Sequence, residues 1–263
     1  MKPEYENIRY ALAGGIARIT LDRPEKRNAL SVPMHRELRD ALERSRAGPT
    51  RVLLLEGAGG AFCSGQDLDE RVFDGDRAPD LGASIETWYK PLILALRALE
   101  MPVVCAVGGV AAGAGASLAL ACDIVLAARS AVFIQSFSRI GLAPDCGASF
   151  LLPRLAGSAR AMGLAMLGEP LSAEQAERWG IIWRCVEDDA LGAEAEKLVQ
   201  ALAAGPTRAL AAIRRVLHAS WENGLEAQLD LERDVQRALG ASRDYREGVT
   251  AFREKRKPRF EGR

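Results

Sequence analysis

Apolar positions fall into short continuous runs over the first two thirds of the chain and into three- and four-residue spacings over the last third. Residues 16–21 (Ile-Ala-Arg-Ile-Thr-Leu) read as a strand ending at Asp22-Arg-Pro24. A second strand, 52–55, is stopped by Gly57-Ala-Gly-Gly60, and 103–107, 124–126 and 131–134 read as further strands. Runs without polar alternation are what a sheet buried on both faces requires. Helical segments lie between them. Ser31 is placed to cap a helix reaching about Ala47, with Pro33 tolerated in its first turn. Residues 84–99 read as a helix bent at Pro91, and a Gly/Ala-rich helix follows Val107. This alternation predicts an α/β fold with a largely parallel sheet.

The polar stretch 67–80 reads as a mobile loop, and beyond Asp189 only helical spacing remains, over about 191–203, 207–220 and 226–239. Residues 1–204 are therefore read as a core carrying the site and 205–263 as a helical region, with Gly205-Pro206 at the boundary. In that region Leu210, Ile213, Val216 and Leu217 form one apolar stripe, and Arg214 and Arg215 are read onto the other faces.

Composition narrows the function. A chain of 263 residues, 48% hydrophobic and 27% charged, fits a soluble globular protein, and its 35 basic and 35 acidic residues leave no footprint for nucleic acid. The weakly polar run 103–121 is rich in Gly and Ala and is read as buried core, so no membrane partner is expected. The start, Met-Lys-Pro-Glu-Tyr-Glu, lacks an apolar leader. The five cysteines form no C-x-x-C pair and have no histidine nearby, which reads as buried small hydrophobes in a cytoplasmic protein without a metal site. His35 and His218 sit in helical patterns read onto the surface, and no G-x-S-x-G elbow occurs, so a nucleophilic triad is hard to assemble.

Two loops carry the chemistry. Ala61-Phe-Cys-Ser-Gly-Gln-Asp-Leu68 follows the strand at 52–55, and Val110-Ala-Ala-Gly-Ala-Gly-Ala116 follows that at 103–107. Small residues just beyond the C-terminal ends of strands are where ligands bind in open α/β sheets. Gly113-Ala-Gly115 does not complete a dinucleotide fingerprint, because the third glycine of G-x-G-x-x-G falls on Leu118. Downstream, Gly141-Leu-Ala-Pro-Asp-Cys-Gly-Ala-Ser149 offers one carboxylate, Asp145, among Phe137, Leu142, Ala143 and Phe150. Backbone N–H groups that polarise a carbonyl, beside a carboxylate that moves a proton, imply proton transfer next to a stabilised enolate. Asp145 also stands where it could cap a helix beginning at Cys146.

These loops, with Leu21-Asp-Arg-Pro-Glu-Lys-Arg-Asn-Ala-Leu30 before them, resemble the crotonase (enoyl-CoA hydratase/isomerase) superfamily over essentially the whole chain. The resemblance is strongest to the subgroup acting on ring-epoxidised phenylacetyl-CoA, through Ser64-Gly-Gln-Asp-Leu68, Ala78-Pro-Asp-Leu-Gly82, Ala143-Pro-Asp-Cys-Gly147, Leu229-Asp-Leu-Glu-Arg-Asp234 and Asp244-Tyr-Arg-Glu-Gly248. It implies a crotonase-like ββα spiral with a C-terminal helical oligomerisation region. The backbone N–H groups of Gln66 and Ala114 would form an oxyanion hole for the thioester oxygen. The positions of the two hydratase glutamates hold Ser117 and Phe137, whereas the isomerase acid falls on Asp145.

The resemblance thus implies an acyl-CoA isomerase, converting 1,2-epoxyphenylacetyl-CoA to an oxepin thioester and 3-enoyl-CoA to 2-enoyl-CoA, with no cofactor beyond the coenzyme A of its substrate. Substrate contacts are expected from Arg23, Lys26, Ser64, Gly65, Asp67, Leu68, Gly113, Phe137, Phe252 and Lys255. The tail 253–263, with six basic and two acidic residues, is expected either to be solvated or to reach a neighbouring subunit's coenzyme A in a trimer or dimer of trimers. Other readings are a hydratase or hydrolase of this fold, drawing a carboxylate from 67–80, and a non-catalytic acyl-CoA-binding subunit.

Overall fold

The computed structural model describes residues 5–71 and 78–262. Residues 72–77, part of the stretch read as a mobile loop, lie outside the described residues. The chain begins with a hairpin that the hydrophobic pattern alone did not reveal. Strand β1 (Ile8–Ala13) pairs antiparallel with β2 (Ile16–Leu21) across Gly14 and Gly15, both at positive φ, as a two-residue hairpin turn demands. Helix α1 (Val32–Ala47) starts at Ser31, whose hydroxyl accepts from Met34 N. Strand β3 (Val52–Gly57) follows it.

The expected bend near Pro91 takes a specific form. Helix α2 (Leu81–Ser84) and α3 (Lys90–Arg97) are joined by a π-helical turn, Ile85–Tyr89, in which Lys90 N donates to Ile85 O. A proline ring clashes with the carbonyl four residues earlier, and a wider turn relieves that contact. Strands β4 (Val103–Val107) and β5 (Val110–Ala112) lead into α4 (Ala114–Leu120), and β6 (Ile124–Ala128) and β7 (Val132–Ile134) follow. Helices α5 (Ala148–Ala156) and α6 (Ser158–Leu167), β8 (Pro170–Ser172), α7 (Ala173–Arg178) and β9 (Arg184–Val186) complete the spiral. The C-terminal helices are α8 (Leu191–Ala203), α9 (Thr207–Ala219), α10 (Leu225–Gly240) and α11 (Arg243–Arg253).

The main sheet runs β1-β2-β3-β4-β6-β9, parallel throughout except for β1, and a second sheet runs β5-β7-β8. Both faces of the main sheet are covered. Leu53, Leu55, Val103, Cys105 and Val107 point into the larger core, which includes α1, α3 and α4 residues. Val52, Leu54, Val104 and Ala106 point the other way, onto Ala195, Val199 and Ala203 of α8. Alternate residues serving two cores explain why these strands read as unbroken apolar runs.

The last helices are pinned to the core by two arginines. Arg214 on α9 is buried, contrary to its expected place on a charged face, because it fills a site rich in acceptors. It pairs with Asp123 at 2.6 and 2.8 Å and donates to the carbonyls of Leu96, Arg97 and Leu99 at the end of α3. Arg51 donates to Thr207 Oγ1 and to the carbonyls of Gly205 and Phe260. The basic tail is held at a few points while residues 252–259 stay exposed: Arg256 pairs with Glu247, and Glu261 N and Gly262 N donate to the Asp244 carboxylate.

Candidate active site

The two glycine-bearing loops are stitched into one wall. Cys63 N donates to Val110 O at 3.0 Å and Ala112 N to Cys63 O at 2.9 Å. Glycine is what permits this approach. A Cβ on Gly115 would stand 2.3 Å from Cys63 O, and one on Gly65 would stand 2.9 Å from Ala112 O and 3.5 Å from Ala114 N. Gly65 (φ +97°) and Gly113 (φ +51°, ψ −123°) also adopt backbone conformations that side-chain-bearing residues avoid.

Peptide geometry then aims two donors. In a trans peptide the C=O and the following N–H point in opposite directions. Gly65 O accepts from Leu30 N at 2.7 Å, so Gln66 N–H points away from Leu30. Gly113 O accepts from Ser117 N at 3.0 Å inside the first turn of α4, so Ala114 N–H points out of the helix end. Neither Gln66 N nor Ala114 N has a backbone acceptor among the described residues. Two neighbouring, unspent N–H groups are suited to a developing oxyanion.

Asp145 sits in the turn before α5. It does not cap that helix with its side chain: the N-cap is Gly147, and Ala148 N donates to the Asp145 backbone carbonyl instead. Asp145 Oδ1 is buried without a hydrogen-bond partner. Burial raises its pKa above the usual carboxylate range, against smaller lowering by a contact with Cys146 and by the charge of Arg71. The desolvating surroundings differ from those read in the sequence. Leu142 and Ala143 are exposed, and Phe150 turns to Trp221 at 5.5 Å between ring centres. The Cys146 thiol and the Tyr89 hydroxyl are within electrostatic reach of the carboxylate.

The Gln66 side chain is held at both ends. Its Oε1 accepts from the Tyr89 hydroxyl and from Arg71 Nη2 at 3.0 Å, and its Nε2 donates to Asp67 O at 2.9 Å. Tyr89 reaches this place from the π-helical turn, a contact without any local sequence signal. His35, expected on the surface, lies buried against Tyr89, with ring centres 4.4 Å apart, because that turn packs over α1. Burial and the nearby charges of Arg71 and Arg39 lower its pKa to about 4, and neither ring nitrogen has a partner.

The expected substrate-binding residues divide into groups. Ser64, Gly65 and Gly113 lie in the joined loops, and Phe137 is buried with its ring tip 3.9 Å from where a Gly113 Cβ would stand. Arg23 and Asp67 are already committed to each other: Arg23 Nη2 bonds Asp67 Oδ2 at 2.9 Å, and Nη1 bonds Ala29 O. Lys26 is at the surface, paired with Asp69 at 2.7 Å, and Leu68 is exposed beside it in sequence. Phe252 and Lys255, at the end of α11, share no hydrogen bond or ion pair with these loops among the described residues. No group of three His, Cys, Asp or Glu side chains among the described residues could hold a metal ion, and no described helix is long and apolar enough to cross a membrane.

Residues 12–263 match the family model described as enoyl-CoA hydratase/isomerase. The chain belongs to this family. It is 53% identical over 251 residues to the 1,2-epoxyphenylacetyl-CoA isomerase of Escherichia coli, covering 95% of this chain and 96% of that one. It is 36% identical to the trans-2-decenoyl-[acyl-carrier-protein] isomerase of Streptococcus mutans, covering 99% and 100%. Among solved structures it resembles an enoyl-CoA hydratase from Polaromonas with a TM-score of 0.89 at 34% identity, over 97% of this chain and 99% of that one. The α/β architecture with appended helices is thus that of enoyl-CoA hydratase/isomerase enzymes. The resemblance implies that Ser117 and Phe137 stand where a hydratase carries its two glutamates. Ser117 is fully buried, and Phe137 has no group to take a proton.

Proposed function

We propose that this chain is an acyl-CoA isomerase that shifts a C=C bond by proton transfer. Its substrates in this reading are 1,2-epoxyphenylacetyl-CoA, or its ring-expanded form, and 3-enoyl-CoA thioesters. Asp145 Oδ1 takes a proton from C2, and the charge passes to the thioester oxygen, where Gln66 N–H and Ala114 N–H stabilise it. In a 3-enoyl-CoA the same proton then goes to C4 as the double bond moves to C2–C3; in the ring-expanded substrate it goes to the ring, leaving the conjugated oxepin thioester. One carboxylate and two amides suffice for this chemistry, so no metal or redox cofactor enters. The observation that carries the reading is the buried, unpartnered Oδ1 of Asp145, in a turn that the Ser117 hydroxyl joins to the peptide presenting Ala114 N–H. The identity to an isomerase over 95% of the chain supports it.

Incubation with 3-enoyl-CoA should produce the ultraviolet absorbance of a conjugated 2-enoyl thioester, whereas crotonyl-CoA should yield no useful rate of 3-hydroxybutyryl-CoA. Hydration as fast as isomerisation would overturn the assignment.

The assembly is proposed to be a trimer or dimer of trimers working in the cytoplasm, where its five free thiols are at home. Its support is a bare apolar face: Ile213 and Leu217 of α9 are exposed next to Leu210, Leu155 and Trp221. In such an assembly Phe252 and Lys255 would serve a neighbouring subunit's coenzyme A. The intact protein should elute as a trimer or hexamer, and Leu217→Glu should shift it toward monomer. A wild-type monomer at micromolar concentration would remove this part of the proposal.

A further inference from the structure

Ser117 is buried on α4, and its hydroxyl, with one proton to give, is within reach of two backbone carbonyls, Gly113 O at 3.1 Å and Asp145 O at 3.3 Å, and shares that proton between them. The first contact is the ordinary back-bond of a helical serine to the residue four before it. The second is not local, since it crosses 28 residues to the turn that bears the candidate base. The two carbonyls belong to the two halves of the site. Gly113 C=O shares its peptide with Ala114 N–H, and Asp145 C=O belongs to the candidate base itself.

The turn needs outside support. Cys146 has φ +52° and Gly147 φ +82°, so a non-glycine residue is held in the left-handed region directly after Asp145. Such a conformation persists only where neighbouring structure over-determines it. Among the described residues, the Ser117 hydroxyl is the single hydrogen bond from another element to the backbone of residues 144–147. Each carbonyl keeps another donor, Ser117 N for Gly113 O and Ala148 N for Asp145 O, so removing the hydroxyl orphans neither. It uncouples them.

We propose that Ser117 is a positioning residue, its hydroxyl tying the Asp145 turn to the peptide that presents Ala114 N–H and so setting the distance between base and oxyanion site. The inference rests on the isomerase reading for its kinetic consequence but not for its structural one. Small misplacement of reacting groups lowers rate far more than binding. Ser117→Ala should therefore lower kcat on 3-enoyl-CoA by about 10- to 100-fold with KM within threefold. Amide hydrogen exchange should become at least tenfold faster for the segment 144–150, while α1 and the main sheet exchange as before.

Ser117→Thr keeps the hydroxyl, and where melting shows it folded it should hold both readouts near those of the wild type. Unchanged kcat together with unchanged exchange in Ser117→Ala overturns the proposal, as does a loss carried by KM alone. A wild-type protein that fails to isomerise, with exchange still accelerated in Ser117→Ala, overturns only the functional reading.

Discussion

Asp145→Asn should lower isomerisation by about 10³-fold or more while leaving the affinity for a saturated acyl-CoA within a few fold. The asymmetry follows from the division of labour in the site. Thioester binding rests on backbone N–H groups and on contacts with the coenzyme, whereas proton movement rests on one carboxylate. The substitution is nearly isosteric but cannot take a proton. The same variant makes a second, independent expectation. Burial raises the Asp145 pKa in the folded chain, so the folded state binds this proton more tightly than the unfolded one does. Its contribution to stability is therefore fully present below the ordinary carboxylate pKa and lost as pH rises through the raised one. At neutral pH the ionised side chain works against folding, and Asn removes that opposition. Asp145→Asn should melt at a higher temperature than the wild type at pH 7, with the difference closing in acid. In the wild type, the acid limb of kcat/KM should lie above the ordinary carboxylate range. Activity kept within tenfold in the Asn variant would sink the assignment of the base.

The largest expected structural effect lies far from the chemistry. Arg214→Ala leaves Asp123 buried without its cation and strips donors from the carbonyls of Leu96, Arg97 and Leu99. Burial already pushes the Asp123 pKa up even with Arg214 beside it, so the unpaired carboxylate would be costly. Breaking such a pair from one side typically costs about 3–5 kcal/mol, or a fall in Tm on the order of 10 °C for a chain of this size. Arg214→Lys should recover only part of it, since a single ammonium cannot reach all of these acceptors at once. Denaturant unfolding that differs by less than 1 kcal/mol from the wild type would show that α9 is not anchored here.

These two residues mark what the chain discloses locally and what it does not. Ser31 with its amphipathic run, the doubly buried strands and the paired glycine loops are written in adjacent positions, so the parallel sheet and the small-residue loops at its strand ends are legible directly. Gly14-Gly15 is an equally local hairpin signal, but only one of its flanking strands is apolar enough to stand out. Arg214 could not be recognised, because a buried arginine and a solvated one look alike until the carbonyls at the end of α3 are in place. The Tyr89–Gln66 contact is hidden for a similar reason. It depends on a π-helical turn that shifts the register of the helix before Pro91, and it joins residues 23 positions apart. His35 was misread onto the surface because the turn that covers it is not visible in α1's own pattern. The Arg23–Asp67 pair is likewise out of reach of the local pattern, since it joins residues 44 positions apart.

Two buried thiols, Cys63 in the joined loops and Cys146 beside the proposed base, bear on the enzyme's own survival. A strained epoxide is an alkylating agent, and a nucleophile left in reach of it would end catalysis by covalent self-modification. Sulfur attacks as thiolate, and burial pushes the Cys63 pKa up to about 12, so the thiol form dominates at neutral pH. Cys146, adjoining Asp145, is pushed higher still by burial and by the neighbouring carboxylate. The same burial that raises the Asp145 pKa thus raises those of both sulfurs, so that an electrophilic substrate of the proposed kind would meet a base but little competing thiolate.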